Sequence, residues 1–172
     1  MLFIGLDLRG IRSTPFGNQS LAKLSYVGEP VVYSKGENSM KALVYHGPGK
    51  IKLDEKPKPT IQVPTDAIVK VLKTTICGTD LHIMKGDLPG VTSGRILGHE
   101  GVGVIDQVGS NVSGFKVGDH VIISCISSCG KCANCKQGMY SHCENGGGWI
   151  LGNTIDGTQA DFVRIPFADN SL

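Results

Sequence analysis

The sequence has no strong charge of either sign and no long apolar run. Its formal net charge is +2 over 172 residues, so charge gives no argument for a nucleic-acid partner. No stretch reaches the roughly 18 apolar residues that a membrane span requires. The first residues are apolar, but Asp7 and Arg9 end the run and no basic segment precedes it, so a secretory signal is not indicated. We therefore expect a cytoplasmic, globular protein that binds neither membrane nor nucleic acid.

Long charged helical runs are also missing, whereas turn-forming residues are frequent, with 24 glycines and 8 prolines. Hydrophobic residues make up 40% of the chain, which is enough for a packed core. Short segments rich in Val, Ile and Thr are separated by turns that contain Gly or Pro, a pattern typical of β proteins. We predict a mainly β fold, a barrel or a sandwich, with a short helical turn at 81–85 and strands at 41–45, 51–55, 67–76, 101–108, 117–124 and 159–165.

The first 39 residues differ from the rest because they contain no residues with ligand spacing. Met40 directly precedes an apolar segment with the character of a strand, as at a natural protein start. We therefore interpret 1–39 as a poorly ordered N-terminal extension and 40–172 as one domain. The alternative for the extension is an extra edge strand formed by 31–33.

A cysteine-rich loop carries the strongest single signal. Its four cysteines follow the spacing C-x2-C-x2-C-x7-C, and two-residue spacers let successive thiolates surround one ion. We predict a closed structural zinc site, with Lys131 and Lys136 offsetting the negative charge. Disulfides are disfavoured without a secretory signal, and an iron–sulfur cluster is the stronger rival because ferredoxins share part of this spacing. The predicted ligands are Cys129, Cys132, Cys135 and Cys143.

Two cysteines lie outside this pattern. Cys125 ends an apolar strand and is expected to be a buried free thiol. Cys77 ends another predicted strand and His99 begins one, so a barrel could bring both side chains to one rim. Thiolate and imidazole are zinc ligands, and a catalytic zinc has three protein ligands and one open position. On spacing alone, a buried apolar role for Cys77 and a turn role for His99 stay open.

The neighbours of this pair add chemistry that would suit an active site. Glu100 could be a third ligand or a near neighbour of the metal, and Asp80 could hold the second ring nitrogen of His99. Thr79 and His82 supply a hydroxyl and an imidazole that could pass a proton from an alcohol to water.

Several motifs follow one another in a fixed order along 40–172. They are C-G-T-D-x-H at 77–82, G-H-E-x-x-G-x5-G at 98–109, G-D-x-V at 118–121, the four-cysteine loop, and D-G-x-x-A-D-F-V at 156–163. In this order they resemble the zinc-containing medium-chain alcohol dehydrogenases. The loop is similar to that of bacterial members related to formaldehyde and threonine dehydrogenases, which also have Cys-x3-Cys-Gly-x-Cys.

The resemblance implies an N-terminal catalytic domain with a GroES-like β-barrel, a structural zinc in the four-cysteine loop and a catalytic zinc. Cys77 and His99 match two catalytic zinc ligands, and Glu100 matches the acid beside them, which can approach or bind the metal. Thr79 matches the hydroxyl that binds the alcohol, and His82 matches the relay histidine near the coenzyme ribose. The implied chemistry is hydride transfer from a small alcohol to NAD or NADP, giving an aldehyde or ketone, in an enzyme that is a homo-oligomer at full length.

The sequence departs from the family pattern at two points. It contains no G-x-G-x-x-G fingerprint for a dinucleotide, and no residue matches the family's remaining catalytic zinc ligand. We therefore expect a catalytic-domain fragment that lacks the coenzyme domain and is inactive alone. Trp149 could line a pocket or fill the core. The competing function is a stand-alone zinc-binding interaction module, whereas a redox-active cysteine protein is disfavoured because the thiols suit metal binding.

Overall fold

The computed structural model describes residues 39–172, and the six strands in this range form two antiparallel sheets. The mainly β prediction is therefore confirmed. The predicted extension at 1–39 and its alternative strand at 31–33 lie outside the described residues, except that Ser39 is the first residue of β1.

The smaller sheet is a hairpin that contains the strands predicted at 41–45 and 51–55. Strand β1 (Ser39–Tyr45) pairs antiparallel with β2 (Ile51–Pro57). In the connecting turn, Gly47 and Gly49 have φ angles of 110° and 71°, which residues with a side chain rarely adopt. Successive side chains of a strand point to opposite faces, and one face of β1 enters the core through Met40, Ala42 and Val44.

The larger sheet has four strands, β3 (Ala67–Thr74), β4 (Gly101–Val108), β5 (His120–Ile123) and β6 (Phe162–Ile165). Their order is β5-β4-β3-β6, with every neighbouring pair antiparallel. Gly103 of β4 lies directly on the backbone carbonyl of Lys70 in β3, where an added Cβ would collide with the oxygen. Close approach of the two strands therefore requires glycine at this position.

The two sheets share a core, and isolated backbone bridges connect the hairpin to the segments that lead into the larger sheet. Ala42 of β1 bridges Ala160, and Val44 bridges Ile96. The core between the sheets includes Ile68 and Phe162. The segments that carry Ile96 and Ala160 therefore connect the hairpin to the larger sheet and fix the position of the chain just before His99.

Three predicted strands end earlier or begin later than expected. After Thr74 the backbone turns into a helix, so the predicted strand at 67–76 is shorter. At the start of the predicted strand 159–165, Gln159 and Asp161 donate their N–H groups to Leu97 and Lys41 instead of to a regular ladder. The third, predicted at 117–124, is reduced to β5 by the turn at Gly118, whose φ is 92°.

The helices of the described chain are short. Helix α1 (Gly78–Lys85) begins earlier than the predicted turn at 81–85 because Cys77 caps it, and it ends at Gly86 with φ of 87°. Helix α2 (Ala133–Lys136), a 3-10 turn at Tyr140–His142 and α3 (Ala168–Ser171) were not predicted. Within 39–172, no helix has the length and apolar character needed to cross a bilayer.

Candidate metal centres

The four predicted cysteines of the loop meet around one point. Their sulfur atoms all lie within 4.8 Å of one another, and the Sγ atoms of Cys129 and Cys135 are 4.0 Å apart. With Zn–S bonds of about 2.3 Å, the sulfurs of a tetrahedral zinc site are separated by about 3.8 Å. The donor set and its spacing therefore fit a single zinc ion. We call residues 129–143 the lobe.

Backbone and side-chain N–H groups point at the lobe sulfurs. Such donors stabilise thiolate charge and orient each ligand for the metal. Asn145, which the sequence analysis missed, supplies the one side-chain amide among them. The bonds run from Lys131 N to Cys129 Sγ (3.4 Å), from Cys135 N to Cys132 Sγ (3.5 Å), from Cys129 N to Cys143 Sγ (3.4 Å) and from Asn145 Nδ2 to Cys129 Sγ (3.2 Å).

The protonation of the lobe thiols depends on these contacts. The N–H of Lys131 is the main cause that lowers the pKa of Cys129 to about 6. Burial, with the neighbouring thiols adding to it, raises the pKa of Cys135 to about 12. Like charges this close cannot all be present without a cation, so four thiolates in this lobe require a bound metal ion, and binding must release protons.

The rival assignments fit the lobe less well. All six cysteines of the chain are free thiols in the structure, so the disulfide interpretation is not supported. A multi-iron cluster would hold its cysteines farther apart than a single ion does. The expectation that Cys125 is buried is wrong, because its side chain is exposed. It lies beyond the end of β5, in a turn held by the Ser124 hydroxyl and the backbone of Ile126.

A second group of ligand atoms gathers where β3 ends and β4 begins. Cys77, His99 and Glu100 each offer an atom within 4.8 Å of the others, and Cys77 Sγ lies 3.3 Å from His99 Nε2. One zinc with bonds of about 2.3 Å to sulfur and about 2.0 Å to nitrogen would separate these two atoms by about 3.5 Å. The spacing of the thiolate and the imidazole therefore fits a zinc ion, and the Glu100 carboxylate lies close by.

Buried hydrogen bonds fix the turn that presents His99. The Thr158 N–H donates to Gly98 O at 2.9 Å. The hydroxyls of Thr74 and Thr158 lie 2.9 Å apart and both donate toward Glu100 O, at 2.9 and 3.2 Å. Gly98 has φ of 91°, so the turn also needs a residue without a side chain. His99 is thereby held rigidly with 8% of its surface exposed.

The predicted contact between Asp80 and His99 is wrong. Asp80 Oδ2 instead accepts a hydrogen bond from Cys77 N at 2.8 Å, and its buried Oδ1 has no partner among residues 39–172. Asp80 is the third residue of α1, where a carboxylate can reach back to the free N–H of the residue that caps the helix. In this structure it positions Cys77 rather than the imidazole.

The predicted relay residues lie on α1, one turn apart. Thr79 is half-buried two residues after Cys77. His82 lies farther out, with 61% of its side chain exposed, and its Nδ1 is 2.8 Å from Asp87 Oδ2. Residues three apart share a helix face, but the structure does not bring His82 into the cluster of ligand atoms. The sequence did not lead us to Asp87, although an acidic residue just after the end of the predicted helical turn was a signal for a partner of His82.

Trp149 contributes both to the second centre and to the core. Its ring meets the His99 ring edge-on, with centroids 5.8 Å apart. It also packs against the apolar group that includes Tyr45, Ile83 and Leu97, and its Nε1 donates to Leu151 O at 3.1 Å. Core filling, one of the two roles that the sequence left open, is therefore confirmed.

Comparison with known proteins places this arrangement in a family. The sequence profile of the alcohol dehydrogenase GroES-like domain matches residues 63–170. The chain belongs to this family. A zinc-type alcohol dehydrogenase B of Aspergillus flavus is 44% identical over 137 residues, covering 79% of this chain and 31% of that protein. The resemblance to zinc-containing alcohol dehydrogenases and the GroES-like fold are thus confirmed.

Solved structures agree with this membership. A zinc-dependent alcohol dehydrogenase 2 from Streptococcus pneumonia, in an apo form, is 57% identical with a TM-score of 0.73, covering 77% of this chain and 37% of that one. An Escherichia coli alcohol dehydrogenase complexed with NADH is 33% identical with a TM-score of 0.66, covering 78% of this chain and 38% of that one. The present chain therefore spans about a third of the length of such relatives.

Proposed function

We propose that this chain is the catalytic domain of a zinc-dependent alcohol dehydrogenase that transfers hydride from an alcohol to NAD or NADP. The observation that carries the proposal is the cluster of Cys77, His99 and Glu100, with Thr79 two residues after Cys77, in a chain whose relatives are alcohol dehydrogenases. The relative that was solved with NADH supports a nicotinamide coenzyme. Six cysteines without a disulfide suit a reducing compartment, which supports the cytoplasm as the location.

The two centres have different roles in this proposal. The four thiolates of the lobe would hold a structural zinc with no open position, whereas Cys77 and His99 would hold a zinc that retains room for substrate. A zinc ion bound there would act as a Lewis acid and make an alcohol hydroxyl more acidic. Trp149 covers one side of His99, which restricts the entry of water from that direction.

Thr79 and His82 would move the alcohol proton outward. The Thr79 hydroxyl would accept this proton near the metal as it gives up its own, and His82 would receive the released proton at the exposed end of the path. When His82 Nδ1–H donates to the Asp87 carboxylate, the neutral ring has Nε2 available as the acceptor. Asp87 therefore orients His82 for this role, and the gap between Thr79 and His82 needs a water or a coenzyme hydroxyl.

We expect the 172-residue chain alone to bind metal without dehydrogenase turnover, because its sequence has no dinucleotide fingerprint. The test is a chimera in which residues 39–172 replace the corresponding part of the Streptococcus pneumonia enzyme. The chimera should oxidise simple primary and secondary alcohols with NAD or NADP. Thr79→Val should lower kcat/KM by about 10²- to 10⁴-fold, and His99→Ala should abolish turnover while the lobe retains its zinc.

The matched control is Cys125→Ser, since this exposed thiol lies outside both centres. It should leave turnover and zinc content unchanged. A folded chimera with two zinc ions per chain and no turnover with either coenzyme would contradict the proposal. If the chimera binds zinc in the lobe only and Thr79→Val does not change its turnover, the interaction module is favoured instead.

A further inference from the structure

The two oxygens of the Glu100 carboxylate face different neighbours. Its Oε2 accepts a hydrogen bond from the Thr75 hydroxyl at 2.7 Å. Its Oε1 points toward the ligand cluster but remains 4.0 Å from His99 Nε2. The side chain is 37% exposed, so it has room to change position. Thr75 is thus the residue that holds this carboxylate at its outer oxygen.

The distances place Glu100 just outside the reach of a metal held by the other two ligands. A zinc bound by both an imidazole and a carboxylate at about 2.0 Å would bring their donor atoms within about 3.3 Å. The separation between His99 Nε2 and Glu100 Oε1 is 4.0 Å, about 0.7 Å longer than such a pair requires. The separation between Cys77 Sγ and His99 Nε2, 3.3 Å, is already short enough.

Hydrogen bonds hold the backbone on both sides of this contact, so a change in the Glu100 carboxylate position has to come from its side chain. Thr75 N donates to Glu100 O at 3.3 Å, and Thr74 Oγ1 donates to the same oxygen at 2.9 Å. Gln159 Nε2 donates to Thr75 O at 3.3 Å. A fixed hydroxyl therefore faces a carboxylate whose backbone is also fixed, and the 2.7 Å bond decides where the carboxylate points.

We propose that Thr75 is a positioning residue that holds Glu100 outside the coordination shell and so keeps one metal position open for the alcohol. This rests on the proposed function, because it presumes a metal at Cys77 and His99. Without the hydroxyl, the carboxylate turns inward and takes the open position. Thr75 then controls substrate access without touching the substrate.

The test uses the chimera with the Streptococcus pneumonia enzyme, because the 172-residue chain has no match for the family's remaining catalytic ligand. The chimera is loaded with cobalt, whose visible spectrum reports its ligands. Imidazole serves as the probe, because it binds only where a coordination position is open, and the four-thiolate lobe has none. In Thr75→Val, imidazole should bind about tenfold or more weakly. Thr75→Ser keeps the hydroxyl and should restore normal binding, as should Thr75→Val combined with Glu100→Ala. Circular dichroism checks that each variant is folded.

Two failures are distinguishable. If the wild-type chimera takes up one cobalt ion, held by the lobe alone, the assignment of a metal to Cys77 and His99 is wrong, and both this inference and the proposed function are overturned. If the chimera takes up two cobalt ions and its folded Thr75→Val variant binds imidazole as tightly as the wild type, only the role of Thr75 is overturned.

Discussion

Gly94 and Gly98 form a natural pair for testing how the turn before His99 is built. Their φ angles are 92° and 91°, so alanine at either position incurs the same backbone cost, roughly 1–2 kcal/mol. The space around them differs. A Cβ on Gly94 would meet no atom within 4 Å, whereas a Cβ on Gly98 would lie 2.7 Å from both Thr158 Oγ1 and Gln159 Cγ.

The difference between the two variants isolates this steric clash. Overpacking of a rigid interior costs about 1–3 kcal/mol, and for a chain of this size each kcal/mol lowers Tm by about 2–4 °C. Gly98→Ala should therefore melt about 2–12 °C below Gly94→Ala, as measured by circular dichroism. Because Thr158 supports the carbonyl of Glu100, Gly98→Ala should also weaken metal binding at Cys77 and His99. Equal melting temperatures for the two variants would refute the reasoning.

Three further predictions concern the lobe and the C-terminal helix. Cys132→Ser should remove one zinc ion per chain and lower Tm, because a structural zinc is coupled to folding, whereas the exposed Cys125→Ser should change neither quantity. A strong chelator should lower the Tm of the wild type toward that of Cys132→Ser. If the chelator leaves the Tm of the wild type unchanged, the assignment of a structural zinc to the lobe is contradicted. The N–H groups of Gly114, then of Ser113, hold the pKa of Asp169 below its usual 3.8. That stabilisation is present above about pH 4 and is lost as the pH falls through the lowered pKa. On acidification, the Tm of Asp169→Asn should therefore fall less than the Tm of the wild type. An equal fall in the two proteins would count against a stabilising role of the Asp169 carboxylate.

Local patterns in the sequence were sufficient for the parts of the structure that depend on local rules. The strand at 101–108 was predicted with the bounds that β4 has, because its residues and flanking turns follow strand rules. The lobe was predicted because two-residue spacers bring cysteines together whatever surrounds them. Cys125 was misjudged because its exposure depends on where β5 ends, and that end is set by the turn at Ser124 and by the contact of Ser124 N with Ser171 O.

The second centre could be predicted in its residues but not in its contacts. Its ligands lie on segments that are distant in sequence, and the partners that hold them are not neighbours along the chain. Asp80 was assigned to His99 on grounds of chemistry, but the cap of α1 takes its carboxylate first. The bond between Thr75 and Glu100 spans 25 positions, and no pattern in a single sequence indicates such a pairing.

The segment 157–159 explains why a motif near the end of the chain accompanies the ligand motifs. Gly157 packs against the carbonyls of Leu97 and Gly98 with no room for a Cβ. Two residues later, Gln159 donates its backbone N–H to Leu97 O and its side-chain amide to Thr75 O. One short segment thus holds both the turn that carries His99 and the end of β3 that leads to Cys77. Because the separation of the two ligands depends on it, substitutions there should alter metal geometry as well as stability.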